Sequence, residues 1–256
     1  MRKYLLCALI CVALSVGVLF AEKASSVQEE NIVAFEIANN FYQQGKYSEA
    51  IKEYEKFLND GTESAPILYN LANAYYKSGK IGKAIVNYER ALRLMPRDAD
   101  MNANFNYAKA QIKARVFSDK GFWAWRPLNA YVKSFTINEL TIFSSAIYAL
   151  VLFLGVVALL RPEAKRSLFL AGILLIILGL LNFFIIWHKV EIQTKYAITV
   201  VSGTDAMFGP FEAATKFFKL HEGMSVIILK SKDDWDKVRR ADGKIGWIKK
   251  DVLEIV

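Results

Sequence analysis

Cysteine and histidine are almost missing from this 256-residue sequence. Cys7 and Cys11 are the only cysteines. Both lie in the first apolar run, so a chain that loses that run has no disulfide or thiol chemistry. His188 and His221, the only histidines, stand far apart without a cysteine partner, which argues against a zinc site of the usual ligand set. No nucleophile–base set, phosphate-cradling glycine loop or paired-carboxylate motif stands out. His221-Glu222 is followed by glycine and lacks the second histidine of a metalloprotease helix, so it reads as the turn before a strand. The reading is therefore of a protein that is not an enzyme, with no catalytic residue, metal or cofactor. Its formal charge of +8 is scattered along the chain and does not form a nucleic-acid footprint.

What the sequence has in excess is apolar residues, 54% of the total, and they are concentrated in three uncharged runs. Residues 4–21 follow Arg2 and Lys3 and end at Ala21 before a polar stretch. This order predicts a secretory signal peptide over residues 1–21, cleaved after Ala21; an uncleaved anchor is the alternative, and a linker over 22–30 follows. Residues 140–160 and 167–187 are each long enough to cross a hydrocarbon core of about 30 Å at about 1.5 Å per residue. Arg161-Pro162-Glu163-Ala164-Lys165-Arg166 joins them, and its proline stops the two runs from merging. The expectation is a transmembrane hairpin with residues 161–166 cytoplasmic, anchored at Trp187, and with both flanking modules outside the cytoplasm. The setting would be a bacterial inner membrane. Residues 116–139, with Phe122, Trp123, Trp125 and Arg126, lie either on the outer bilayer surface or against the preceding domain. Residues 188–195 read as a linker.

Between the first two runs, placing Gly45 over Gly79 sets a 34-residue period. Ile37 then falls on Leu71, Ala38 on Ala72, Phe41 on Tyr75, Ala50 on Ala84 and Tyr54 on Tyr88. The small residues let helices approach and the aromatics fill the gaps between them. This pattern over residues 31–115 resembles the tetratricopeptide repeat, which implies an all-α solenoid of paired helices. The units are 31–64 and 65–98. Because two units are too few to stand alone, a further helix over 99–115, with Phe105, Ala108 and Ile112 on its apolar face, would cover the exposed end, or self-association would. The resemblance places a groove at Phe35, Asn39, Tyr42, Tyr69, Asn70, Asn73, Tyr76 and Lys77. It implies a partner segment held by aromatics and amides, because Phe35 stands where a carboxylate-binding lysine would be expected.

From residue 196 onward the pattern changes to short alternating runs. Tyr196–Val201, Ser225–Lys230, Trp235–Arg239 and Lys244–Ile248 read as strands, with Ala241-Asp242-Gly243 as a hairpin turn. Their order over 196–256 resembles a bacterial SH3-type domain, implying a small all-β barrel. Trp247 and Val238 are expected in its core, and Trp235 either at its rim or on a peptide- or glycan-binding surface. Taken together, the modules resemble the tetratricopeptide-containing E-type proteins of the Bat aerotolerance group. That resemblance implies an envelope scaffold working with von Willebrand A-domain membrane proteins and a MoxR-type ATPase in stress or oxygen tolerance. Binding of peptidoglycan through the SH3-like domain is the alternative.

Overall fold

The computed structural model of the protein describes residues 32–112 and 132–256. The expected signal peptide, the linker after it and the aromatic segment around Trp123 lie outside the described residues.

Five helices come first: α1 over residues 32–43, α2 Tyr47–Asn59, α3 Ala65–Lys77, α4 Ile81–Leu94 and α5 Ala99–Ala110. Each packs on its neighbour. Gly45 and Gly79 close the tight turns within the two helix pairs at φ values of 75° and 79°, a region a side chain would strain. Pro66 stands in the first turn of α3, and Asp98 caps α5 by accepting from the Met101 N–H at 2.8 Å. The repeat core is built from the small residues that the period singled out, Ala38, Ala50, Ala72 and Ala84, all fully buried, together with Tyr54, Leu71, Tyr75 and Tyr88.

Helices α6 Ile137–Leu160 and α7 Lys165–Lys195 pack against each other and are long and apolar enough to cross a membrane. A 3-10 turn, Pro162–Ala164, joins them. Thr136 and Glu139 form a capping box at the start of α6. Ile147 and Asn182 are buried between the two helices, while many large apolar side chains, Phe143, Phe153, Phe169 and Phe183 among them, are exposed. The Asn182 side-chain N–H groups donate to the Leu140 carbonyl at 2.9 Å and to Ser144 Oγ at 2.7 Å, tying the helices together. Residues 188–195, expected as a linker, are the last turns of α7. The helix runs straight into the first strand at Tyr196, and Lys195 and Glu191 pair at 2.7 Å on that final stretch.

The C-terminal region is a seven-stranded antiparallel sheet in the order β3-β2-β6-β5-β4-β1-β7. The strands are β1 Tyr196–Thr199, β2 Thr204–Met207, β3 Lys216–Leu220, β4 Ser225–Lys232, β5 Trp235–Arg240, β6 Ile245–Lys249 and β7 Leu253–Ile255. Three of these, β2, β3 and β7, were not legible as strands. In place of a closed barrel the sheet is open, with β3 and β7 at its two edges, and strongly curled. The Arg240 guanidinium at the end of β5 reaches the Lys219 carbonyl of β3 at 3.1 Å and covers the Phe218 ring. Phe218, Leu220, Val226, Val238 and Ile248 fill the inside of the curl. Val238 is core as expected, but Trp247 is not. It pairs with Lys237 on the outer face, while its neighbours Gly246 and Ile248 point inward, so period-2 alternation excludes Trp247 from the core.

Helix α5 covers the end of the repeat stack as expected, and the sheet packs on the repeat core as well. Ile198 and Val256 belong to the repeat core, and Ile112 touches both cores. A Cβ on Gly82, in the first turn of α4, would lie 2.6 Å from the Thr199 carbonyl oxygen, so only glycine lets the sheet approach this closely. Arg90 pairs with Glu254 at 3.0 Å and donates to the Ile255 carbonyl at 2.6 Å. Arg93 donates to the Val256 carbonyl, and Tyr196 Oη donates to the Glu89 carboxylate at 3.1 Å.

Candidate protein-binding groove

The groove residues placed from the sequence share one face of the stack. Phe35, Asn39 and Tyr42 lie on α1, and Tyr69, Asn70, Asn73, Tyr76 and Lys77 on α3. All are half-buried except the exposed Lys77. Asn39, Tyr69, Asn70 and Asn73 are joined in a ladder that repeats with the 34-residue period. In the first unit, Tyr54 Oη donates to Asn39 Oδ1 at 2.5 Å, and Asn70 of the next unit donates to the same oxygen at 3.0 Å. In the second unit, Tyr88 Oη donates to Asn73 Oδ1 at 2.5 Å, and Asn104 donates to it at 3.4 Å and to Tyr69 Oη at 2.5 Å. The asparagine oxygens are thus spent on holding helices together, and burial pushes the Tyr54 hydroxyl up to about 12 and raises that of Tyr88 as well.

What remains for a partner is aromatic. Phe35 lies edge-on to Tyr54, with ring centroids 6.1 Å apart, and Tyr42 edge-on to Tyr47 at 5.4 Å. Tyr76 meets Tyr107 of α5 at 5.7 Å, and Tyr107 is 60% exposed. Asn104 and Tyr107 were missed from the sequence, yet the signal was present: one further step of 34 carries Asn70 to Asn104 and Asn73 to Tyr107. Helix α5 is therefore the first helix of a third unit, and it extends the face as well as covering the end.

The junction behind the groove was also missed. Glu222 accepts from the Gly82 N–H at 2.8 Å, at the start of a helix whose own N-cap, Lys80, makes no side-chain cap bond. Glu89 lies beside a cavity of about 40 Å³ lined by Lys109, Tyr196 and Arg240, among others. Burial holds its carboxyl above the ordinary carboxylate range, against the pull of Lys109, Tyr196 and Arg93. At the other end of the molecule, Trp235 is half-buried at the rim of the sheet, with Lys249 Nζ 5.9 Å from the centre of its ring.

A family model described as TPR repeat matches residues 38–79, and one described as Tetratricopeptide repeat matches residues 65–98. Residues 38–98 therefore carry tetratricopeptide repeats, which are modules for protein–protein interaction. No curated protein matches the chain.

Proposed function

We propose that the protein is a membrane-anchored scaffold whose tetratricopeptide face holds an extended segment of another envelope protein. The observation that carries this reading is the continuous half-buried aromatic face across α1, α3 and α5, set on a solenoid of the interaction type. The apolar pair α6 and α7 supplies the anchor, with the repeats and the sheet on the extracytoplasmic side and residues 161–166 in the cytoplasm. The resemblance to the Bat E-type proteins makes von Willebrand A-domain membrane proteins the first partners to test, in a complex serving stress or oxygen tolerance.

The test separates groove from ladder. Tyr76→Ala with Tyr107→Ala removes one half-buried and one exposed ring of the face without touching the Asn39 and Asn73 acceptors. Cross-linked partners recovered with the wild-type protein from intact cells should be lost with this variant. Recovery of the same partners in equal amount would refute the groove. Labelling by a membrane-impermeant maleimide at cysteines placed at Ser48 and Lys244, but not at Glu163, would support the topology, and the reverse pattern would overturn it.

A second reading rests on Trp235, whose rim position suits a surface residue better than a core one. On that reading the sheet binds peptidoglycan, and sedimentation of the full chain with purified wall should then be lost in Trp235→Ala.

A further inference from the structure

The sheet is covered on its outer side only at the β1–β7 end, where it meets the repeats. At the other end the same side is open, and the strand register shows what it carries. Trp235 stands opposite Lys249, Lys237 opposite Trp247, Arg239 opposite Ile245, and Met207 opposite Trp247. Phe208 and Phe217 stack next to this row with centroids 4.3 Å apart. Phe208, Phe211 and Phe217 are 60%, 56% and 40% exposed, an unusual amount of aromatic surface for one side of so small a sheet.

The charges on this side are mostly positive. Asp205 is engaged by Lys216 at 2.7 Å and Glu212 by Lys249 at 2.5 Å, and Asp234 and Asp251 also lie near Lys249. Among the described residues, Lys237, Arg239 and Lys244 have no carboxylate within ion-pairing distance. Instead, Lys237 and Lys244 hold their ammonium groups 5.9 and 6.0 Å from the Trp247 and Phe217 rings. Aromatic and cationic groups therefore alternate across the surface.

We propose that this face docks an acidic polypeptide segment of a partner protein, its carboxylates meeting the lysines and Arg239 and its apolar side chains meeting the phenylalanines. Charge complementarity selects the acidic partner. A bilayer fits less well, because rings capped by ammonium groups cannot enter hydrocarbon without carrying the charge with them. A neutral glycan fits less well too, since it carries no charge to meet the lysines and Arg239. The site is separate from the repeat groove and stands or falls independently of it.

The test uses the full chain in phosphatidylcholine nanodiscs, with a fluorescent random copolymer of glutamate and tyrosine as the probe, read by anisotropy. The variants are Phe208→Ala with Phe217→Ala and, separately, Lys237→Glu with Lys244→Glu; all four side chains are exposed except the half-buried Lys237, and unchanged melting curves confirm the fold. Each pair should weaken binding about fivefold or more. Raising salt from about 50 mM to about 500 mM should weaken wild-type binding by a similar factor. Tyr76→Ala with Tyr107→Ala should leave it unchanged. No binding of the copolymer, equal binding by all variants, or loss of binding in the groove variant would overturn the proposal. So would protection of residues 204–220 from hydrogen exchange by phosphatidylglycerol nanodiscs or wall fragments in place of the copolymer.

Discussion

The Glu222 carboxylate caps helix α4 from the far module, accepting from the Gly82 N–H at 2.8 Å across 140 positions of sequence. The contact exists because Gly82 has no side chain. With a Cβ there, the Thr199 carbonyl oxygen would sit at 2.6 Å and the Val200 Cα at 2.8 Å, both backbone atoms that cannot swing aside. One glycine and one glutamate thus join Arg90, Arg93 and Tyr196 in holding the sheet on the repeats.

Gly82→Ala should therefore separate the modules while leaving each folded. Limited proteolysis across the 196–224 region should be faster than in the wild type. Glu222→Ala should be milder, lowering stability by about 0.5–2 kcal/mol for a lost helix cap. Equal protease resistance in Gly82→Ala would show that the close approach does not hold the interface.

Within the groove, Asn73→Ala should cost more than Tyr107→Ala. The first leaves the buried Tyr88 hydroxyl without its acceptor, a loss of about 1–3 kcal/mol; the second removes only exposed surface. Tyr88→Phe combined with Asn73→Ala should recover part of the loss, because both members of the bond are then gone. Thermal melts of the four proteins provide the comparison, and no recovery in the double variant would contradict the ladder.

Glu89 gives the junction a pH dependence of defined sign. Its folded carboxyl binds its proton more tightly than in the unfolded chain, because burial outweighs Lys109, Tyr196 and Arg93. Folded and unfolded forms are both protonated at low pH. As pH rises through the ordinary carboxylate range the unfolded chain releases its proton first, so stability falls until the folded group also ionises. Glu89→Gln keeps the size and removes the titration. Its melting temperature should exceed that of the wild type near neutral pH and converge with it below about pH 4. A constant difference at all pH values would assign the effect to packing.

In the hairpin, Asn182→Leu should loosen α6 against α7 by about 1–2 kcal/mol, since it deletes the bonds to Leu140 and Ser144. Ile147 and Gly179 face each other at the contact, with a Cβ on Gly179 lying 3.6 Å from Ile147 Cγ2. Disulfide yield in an Ile147→Cys, Gly179→Cys protein should drop several-fold when Asn182→Leu is added. An unchanged yield would show that packing alone holds the pair.

The sequence by itself determined what depends on helical periodicity and on long uncharged runs. The 34-residue step located the alanines and tyrosines of the repeat core, because helix packing demands small and large residues at fixed intervals. The uncharged runs located α6 and α7, because a long apolar stretch without charges is a helix long enough to cross a membrane. Only the tertiary structure decided what happens between modules. Glu222 looked like a turn residue and caps a helix; Trp247 looked like core and faces out. The expected helix α5 does cover the end of the solenoid, but a β-sheet anchored through Ile198, Val256 and the bare backbone of Gly82 packs on the repeats as well. Contacts across more than a hundred residues leave no period in the sequence, since they depend on which surfaces meet once each local unit has formed.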